Sequence, residues 1–207
     1  PQIRTLDAQW QLTPTQGFVN PFASGPAGVA RPGDPVPFNI QVVNDGSRDR
    51  VFVLYAMSQP DPEDASAFLA GEEDAMDAER EAATGNRPAR GKLVEFDLDG
   101  RLQRIYSDDG RLNAPWGVAI APPDFGPLSG RLLVGNFGGA GRICAFDLDS
   151  GSYVDELRDG QDRPVAIPGL WALQFGNGVA LGDSNALYFA AGPKDETEGL
   201  FGSLRFG

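Results

Sequence analysis

The chain has 207 residues, of which 41% are hydrophobic and 10% aromatic, so it is long enough and apolar enough for one domain with a sizeable core. Its 17 Lys and Arg residues against 29 Asp and Glu residues give a net charge of −12, which repels phosphate backbones and argues against a nucleic-acid partner. The chain has no histidine and one cysteine, Cys144, which excludes the usual histidine catalysts, an intrachain disulfide and a thiolate zinc site.

No membrane span and no signal peptide are predicted within the chain. Its apolar runs stay well below the ~18 residues that a spanning helix needs, and its first residues lack a basic start followed by an apolar stretch. The chain begins with Pro1 rather than Met, which leaves room for upstream sequence.

The clearest pattern in the sequence is an internal repeat. The segment Gly91–Gly100 returns as Gly141–Ser150 after a shift of 50 residues, with six of its ten positions identical or exchanged between aliphatic residues. The same pattern fits Gln2–Asp7 near the start and Gly199–Leu204 near the end. Each copy is a short apolar run, as expected of a β-strand that is bounded by turns.

Other apolar runs keep a constant order around these repeats. One set opens with Pro or Gly close to an aromatic residue, and a second set of mixed aliphatic and aromatic residues follows it. The first set comprises Pro37–Ile40, Pro115–Val118 and Gly169–Ala172, and the second comprises Val51–Ala56, Leu132–Phe137 and Ala186–Ala190. With the Phe-Asp strand and a fourth strand such as Gly151–Leu157, each unit holds about four strands, which is typical of a propeller blade. We therefore predict an all-β fold of β-propeller blades with four antiparallel strands each.

The repeat divides the chain into parts of one partial β-propeller over residues 1–207. We predict a first unit over residues 1–90, a second over 91–140, a third over 141–198 and a closing strand over 199–207 that starts a fourth. Residues 58–90 form an acidic insertion in the first unit, with nine acids between Asp61 and Glu81. We interpret this insertion as a solvated segment with a short helix around residues 74–83, and binding of a basic partner or of divalent ions is the alternative.

Three blades and the start of a fourth fall short of a closed ring, which has four to eight blades. Because each blade buries its faces against its neighbours, an open stack leaves apolar faces that other protein must cover. The chain is therefore predicted to be half of a six-bladed ring. The partner that completes the ring is a missing N-terminal half, a second copy of the chain or another protein subunit.

Several longer motifs follow one another in a fixed order along nearly the whole chain. They are Pro37–Gln41, Asn113–Pro122, Phe125–Gly126, Gly130–Gly138, Gly169–Gly178, Leu187–Phe189, Gly192–Pro193 and Gly199–Leu204. In this order they resemble the C-terminal half of a family of uncharacterised bacterial proteins that are expected to be six-bladed β-propellers. Its members are often exported, and some carry a C-terminal surface-sorting signal, so the resemblance implies an extracytoplasmic location, periplasmic or secreted. The family has no established activity, and this chain departs from it by lacking the N-terminal half and by its long acidic insertion.

Three aromatic residues, Phe38, Trp116 and Trp171, occupy equivalent positions where the first strand of each unit begins. In a propeller these positions lie near one mouth of the central channel, where large aromatic rings can form a flat binding platform. The alternative, which we favour, is that a repeated aromatic residue packs between blades.

Five polar residues near the expected channel are candidates for a calcium site, because a hard cation takes carboxylate and amide oxygens as ligands. They are Asn39, Asn113, Asn136, Asn177 and Asp183. Since acids are lacking where the first strands begin, we interpret most of these residues as turn and cap residues. The carboxylates of Asp97–Gly100 and Asp147–Gly151 are likewise interpreted as hairpin turns rather than as calcium loops, because neither segment carries the full set of ligands.

These observations favour a non-catalytic binding or scaffold module, and no catalytic residue is assigned. Two alternatives stay open. One is a calcium-dependent hydrolase of the propeller lactonase type, and the other is a structural subunit of a larger complex.

Overall fold

The computed structural model describes residues 2–13, 17–71 and 90–206, and this part of the chain is all-β apart from two short 3-10 turns, at Pro26–Gly28 and Gly126–Leu128. The strands described are β1 Pro35–Asn44, β2 Asp49–Pro60, β3 Phe68–Ala70, β4 Gly91–Phe96, β5 Leu102–Ile105, β6 Pro115–Ile120, β7 Leu132–Asn136, β8 Ile143–Phe146, β9 Tyr153–Glu156, β10 Leu170–Phe175, β11 Ala186–Ala191 and β12 Leu200–Arg205. The predicted helix around residues 74–83 lies outside the described residues.

The strands form three antiparallel sheets, in each of which the chain runs back and forth between neighbours. The first sheet has the order β1-β2-β4-β5, with β3 paired to the end of β2; the second has the order β6-β7-β8-β9, and the third β10-β11-β12. The prediction of an all-β fold with antiparallel strands is therefore confirmed. The repeated Phe-Asp segments form β4 and β8, the third long strand of their sheets.

The sheets divide the chain at other points than the predicted units. The boundaries at 90/91 and 140/141 fall inside sheets, because β4 pairs with β2 and β8 pairs with β7. Residues 200–205 pair with β11 as the third strand of the third sheet and do not open a further sheet. Each sheet begins with its first strand and not with the Phe-Asp strand that carries the clearest repeat.

The N-terminal segment differs from the predicted strand. Residues 2–13 form a small hairpin in which Leu6 bridges to Leu12, and the carboxylate of Asp7 accepts the backbone N–H groups of Gln9 and Gln11, each at 2.9 Å. Trp10 at the tip has a φ of 62°, a turn conformation that ends any extended strand. The chain therefore folds back on itself here.

The N-terminal segment covers one face of the first sheet. Ile3, Phe18 and Phe22 pack against a buried cluster on that face, made of Val51, Val53, Tyr55, Val94 and Phe96. The Phe18 N–H donates to the Gly100 carbonyl at 2.7 Å and thereby ties the segment to the edge of the sheet. We call Ile3, Phe18 and Phe22 the N-terminal cap.

The three sheets stack face to face in chain order. Between the first and second sheets lies a core that includes Phe52, Leu54, Val118 and Phe146, and between the second and third lies one that includes Leu133, Leu173 and Phe189. All residues of β7 are buried, because that strand has a sheet on either side. In β11, by contrast, buried residues alternate with half-buried ones, because only one of its faces is covered within the described chain.

The first strands of the sheets, β1, β6 and β10, lie next to one another. Gln41 on β1 reaches β6 through two hydrogen bonds, donating to the Val118 carbonyl at 2.9 Å and accepting from the Val118 N–H at 3.2 Å. At Gly117, a Cβ atom would lie 2.6 Å from the Trp171 carbonyl oxygen, so β6 and β10 approach each other through their backbones.

Among the described residues, no helix is long and apolar enough to cross a membrane.

Candidate functional site

The structure brings together Phe38, Trp116 and Trp171, for which a binding platform and packing between blades were the two interpretations. Phe38 on β1 lies with its ring centre 4.8 Å from that of Trp116 on β6, and Trp116 lies 4.6 Å from Trp171 on β10, both in edge-to-face geometry. Phe137 adds a fourth ring, 4.3 Å from Trp171. The three rings on β1, β6 and β10 are half-buried.

This cluster joins the three sheets where their first strands meet. Each ring offers its face or its edge to a neighbouring ring, an arrangement that stabilises aromatic pairs by about 0.5–1.5 kcal/mol beyond the area that they bury. The Trp171 indole N–H donates to Glu196 at 2.5 Å, so the polar end of this ring is also engaged. The geometry thus favours packing between sheets for these side chains, and their use as a binding platform stays a prediction.

Two of the five candidates for a calcium site, Asn113 and Asn136, lie in contact. The Asn113 backbone N–H donates to the side-chain oxygen of Asn136 at 3.0 Å, and the Asn136 amide donates to the Arg111 carbonyl at 2.9 Å. Asn39 lies on β1, where its amide donates to the Trp116 carbonyl at 2.8 Å. These amides therefore fasten loops and neighbouring strands to one another.

The remaining two candidates lie in the loop between β10 and β11. Asn177 accepts the backbone N–H groups of Val179 and Leu181, and Asp183 accepts the N–H of Asn185. In the part of the chain that the structure describes, no group of three or more Cys, Asp or Glu side chains is arranged around a common point where a metal ion could bind. A calcium site stays the untested alternative to turn and cap roles for these residues.

Both Asp-containing repeats form the turns that their sequence predicts. Asp97 accepts the backbone N–H groups of Asp99 and Arg101, and Asp147 accepts those of Asp149 and Ser150. The Ser150 N–H and hydroxyl both donate to Asp147 and lower the pKa of its carboxyl group from 3.8 to about 2. Arg131, which forms an ion pair with Asp147, acts in the same direction.

This lowered pKa predicts a loss of stability in acid. Since the folded carboxyl group of Asp147 has the lower pKa, the unfolded chain takes up more protons between about pH 4 and pH 2, and the free energy of unfolding falls as the pH falls through that range. Asp147→Asn keeps an acceptor oxygen but cannot titrate, so we expect a shallower dependence of stability on pH. Urea unfolding at several pH values measures it, and a variant with the parent's slope would contradict this prediction.

A groove lies on the outer face of the third sheet, and the sequence did not single it out. It has a volume of about 430 Å³. Its lining includes Ala172 and Gln174 from β10, Leu181 from the following loop, Tyr188 and Ala190 from β11, and Phe201 from β12. We call these six residues the open face.

The open face is apolar and exposed. Phe201 is 75% exposed although its ring stacks against that of Tyr188, with 6.0 Å between the ring centres. Leu181 is 55% exposed, and the neighbouring Val179 is 87% exposed. Contiguous exposed apolar surface is found at protein interfaces, at membrane contacts and in ligand-binding grooves. The signal in the sequence is the composition of β11, which is as apolar as the fully buried β7.

Fold and site together define an all-β protein of repeated antiparallel sheets that carries an apolar face at the end of its stack. No protein-family model and no solved structure matches the chain. Three uncharacterized proteins of Acanthamoeba polyphaga mimivirus are similar to it. One is 32% identical over 174 residues, which cover 83% of this chain and 40% of that protein, and another is 32% identical over 187 residues, which cover 89% and 39%. The third is 38% identical over 80 residues, which cover 39% of this chain and 15% of that protein.

These viral relatives overturn the resemblance to a bacterial family. The motifs that carried it are short apolar strands bounded by Gly and Pro, which repeated antiparallel sheets need wherever they occur. The extracytoplasmic location rested on that resemblance alone and stays an untested prediction. The chain spans about 40% of the length of the first two relatives.

Proposed function

We propose that the chain is a non-catalytic binding or scaffold module, built of propeller-type blades that work together with further protein. The observation that supports this proposal is the stack of three similar sheets that ends in the open face. Stacked repeats present loops and surfaces on a rigid frame, and each repeat is stabilised mainly by its neighbours. The sheets would be three blades of an incomplete ring, with the first strands β1, β6 and β10 nearest the centre.

Two features support the interpretation of the three sheets as propeller blades rather than as an unrelated stack of sheets. The second and third sheets are meanders of chain neighbours, and the first follows the same order with β3 added beside β2. The aromatic cluster of Phe38, Trp116 and Trp171 repeats at one position of the first strands. Both are expected of propellers, in which each blade repeats one local arrangement around a common axis. The further protein would be additional blades or another subunit, which includes the proposal of a structural role in a larger complex.

The proposal requires that the open face is uncovered when the chain is alone in solution. We expect the native protein to bind the hydrophobic dye ANS, and Phe201→Ser to lower the dye fluorescence severalfold, because it removes the largest exposed ring of this face. Leu98→Ser is the matched control, since Leu98 is 64% exposed in a turn of the first sheet and should leave the fluorescence unchanged. A monodisperse monomer that unfolds cooperatively and binds no dye would contradict the proposal.

A further inference from the structure

The pairing of neighbouring strands aligns the first and third sheets residue by residue. Leu54 on β2 pairs with Leu93 on β4, and Ala190 on β11 pairs with Phe201 on β12. Leu93 and Phe201 each follow a glycine by two positions, which fixes the alignment of the two pairs. In the first sheet, Leu54 and Leu93 face the second sheet and are fully buried. Their counterparts Ala190 and Phe201 belong to the open face.

The alignment extends to the innermost strand through a glutamine. Gln41 on β1 pairs with Phe52 on β2, and Gln174 on β10 pairs with Tyr188 on β11, the position that corresponds to Phe52. Gln41 holds the backbone of the next sheet through its two hydrogen bonds to Val118. Gln174 is exposed on the open face. At the positions with which the first sheet holds its neighbour, the third sheet thus presents the same glutamine and other apolar side chains.

We infer that the open face docks a further antiparallel sheet of the same repeat, carried by a polypeptide outside these 207 residues. Gln174 binds the backbone N–H and carbonyl groups of one residue on the innermost strand of that sheet, as Gln41 binds those of Val118. Tyr188, Ala190 and Phe201 pack against its apolar side chains. This inference rests on the proposed function and specifies its partner.

A second copy of the chain is disfavoured as that partner. In a stack of such sheets, the face at one end of the stack docks against the face at the other end. A second copy would therefore have to cover the open face with the outer face of its own first sheet. Its central strands are covered by the N-terminal cap, and Phe22 meets the ring of Tyr55 edge-on at 5.3 Å. Asn20 donates to the Pro35 carbonyl at 2.8 Å and holds the cap in place. Further sheets have room in the longer mimivirus proteins, since the greater part of each lies outside its match to this chain.

The N-terminal cap provides the test. Removing the cap in the full chain exposes the outer face of the first sheet, which can then dock on the open face of another copy. In Phe18→Ser/Phe22→Ser, we expect self-association at least tenfold tighter than that of the parent protein, through the freed first sheet of one copy and the open face of another. Sedimentation velocity over a range of concentrations measures it, and circular dichroism checks that the variant is folded. Should the double variant unfold, Phe22→Ser alone exposes Tyr55 with a smaller loss of packing.

Changes on the open face then identify the docking surface. In the uncapped background, Phe201→Glu should abolish association, whereas Val154→Glu, at an exposed position on β9 of the second sheet, should leave it unchanged. Gln174→Leu should weaken association about tenfold through the loss of two hydrogen bonds, although it makes the surface more apolar. Association that Gln174→Leu strengthens would indicate a non-specific apolar patch and overturn the inference.

The two proposals fail differently. Dye binding by the parent together with a folded, monomeric uncapped variant would overturn the docking of a repeat sheet and leave the binding module standing. Absence of dye binding by the parent would contradict the binding module itself. Association of the uncapped variant that Phe201→Glu does not change would place the contact elsewhere and likewise overturn the inference.

Discussion

Replacing Gly141 with alanine is expected to lower the free energy of unfolding by about 2–5 kcal/mol, the sum of about 1–2 kcal/mol for a left-handed backbone and about 1–3 kcal/mol for an overpacked contact. Gly141 has a φ of 66°, and a Cβ atom there would overlap the carbonyl group of Ile167. That carbonyl belongs to backbone and cannot rotate away. The Ile167 N–H also donates to the Gly141 carbonyl at 3.1 Å, so relief of the overlap would break the link between β8 and the segment that leads to the third sheet.

Gly130→Ala is the matched control for this effect. Gly130 has a φ of 71°, close to that of Gly141, but no atom lies within 4 Å of the position that its Cβ would take. This variant should therefore lose only the backbone part, about 1–2 kcal/mol. Urea unfolding of both variants separates the two contributions, and equal losses would show that the close approach to Ile167 does not exist in solution.

Truncation of Phe146 to alanine is expected to cost about 3–5 kcal/mol, because it leaves a cavity between the first and second sheets. Phe146 is fully buried, and its ring lies 5.8 Å from that of Tyr106 and 6.0 Å from that of Tyr153, both edge-to-face. Tyr106 lies directly after β5 of the first sheet, and Tyr153 lies on β9 of the second sheet, so the Phe146 ring connects the two sheets. Equilibrium unfolding in urea, followed by tryptophan fluorescence and by circular dichroism, measures the loss.

Leu98→Ala is the control for Phe146→Ala. Leu98 is 64% exposed in the turn between β4 and β5, so its truncation should change the free energy of unfolding by no more than about 0.5 kcal/mol. A loss at Phe146 as small as that at Leu98 would mean that the two sheets are not packed as the structure has them.

Much of the strand pattern could be predicted from local sequence. The Phe-Asp segments were predicted as strands followed by turns, and β4 and β8 end where Asp97 and Asp147 accept backbone N–H groups. Cys144, which lies within one of the repeated apolar runs, is fully buried in β8. These features depend on residues a few positions apart, which a single sequence shows directly.

The N-terminal cap and the open face could not be predicted in the same way. Gln2–Asp7 fits the repeat in its apolar positions, but a turn at Trp10 directs it away from any sheet, and contacts far along the chain then place Phe18 on the first sheet. The open face was missed for a related reason. Apolar runs mark strands that are buried on both faces, and β11 has such a run although only one face is covered within the described chain.

The hydrogen bond between Phe18 and Gly100 has a consequence for the order of folding during synthesis. Most paired strands follow one another closely in the chain, and such local pairing forms early because little entropy is lost in closing short loops. The pair β2 and β4 is the exception, since residues 61–90 lie between them. The cap has to wait for a residue that the ribosome adds much later. Until Gly100 has emerged from the ribosome, the outer face of the nascent first sheet is exposed to solvent. This is the stage at which the chain offers a chaperone the largest exposed apolar surface.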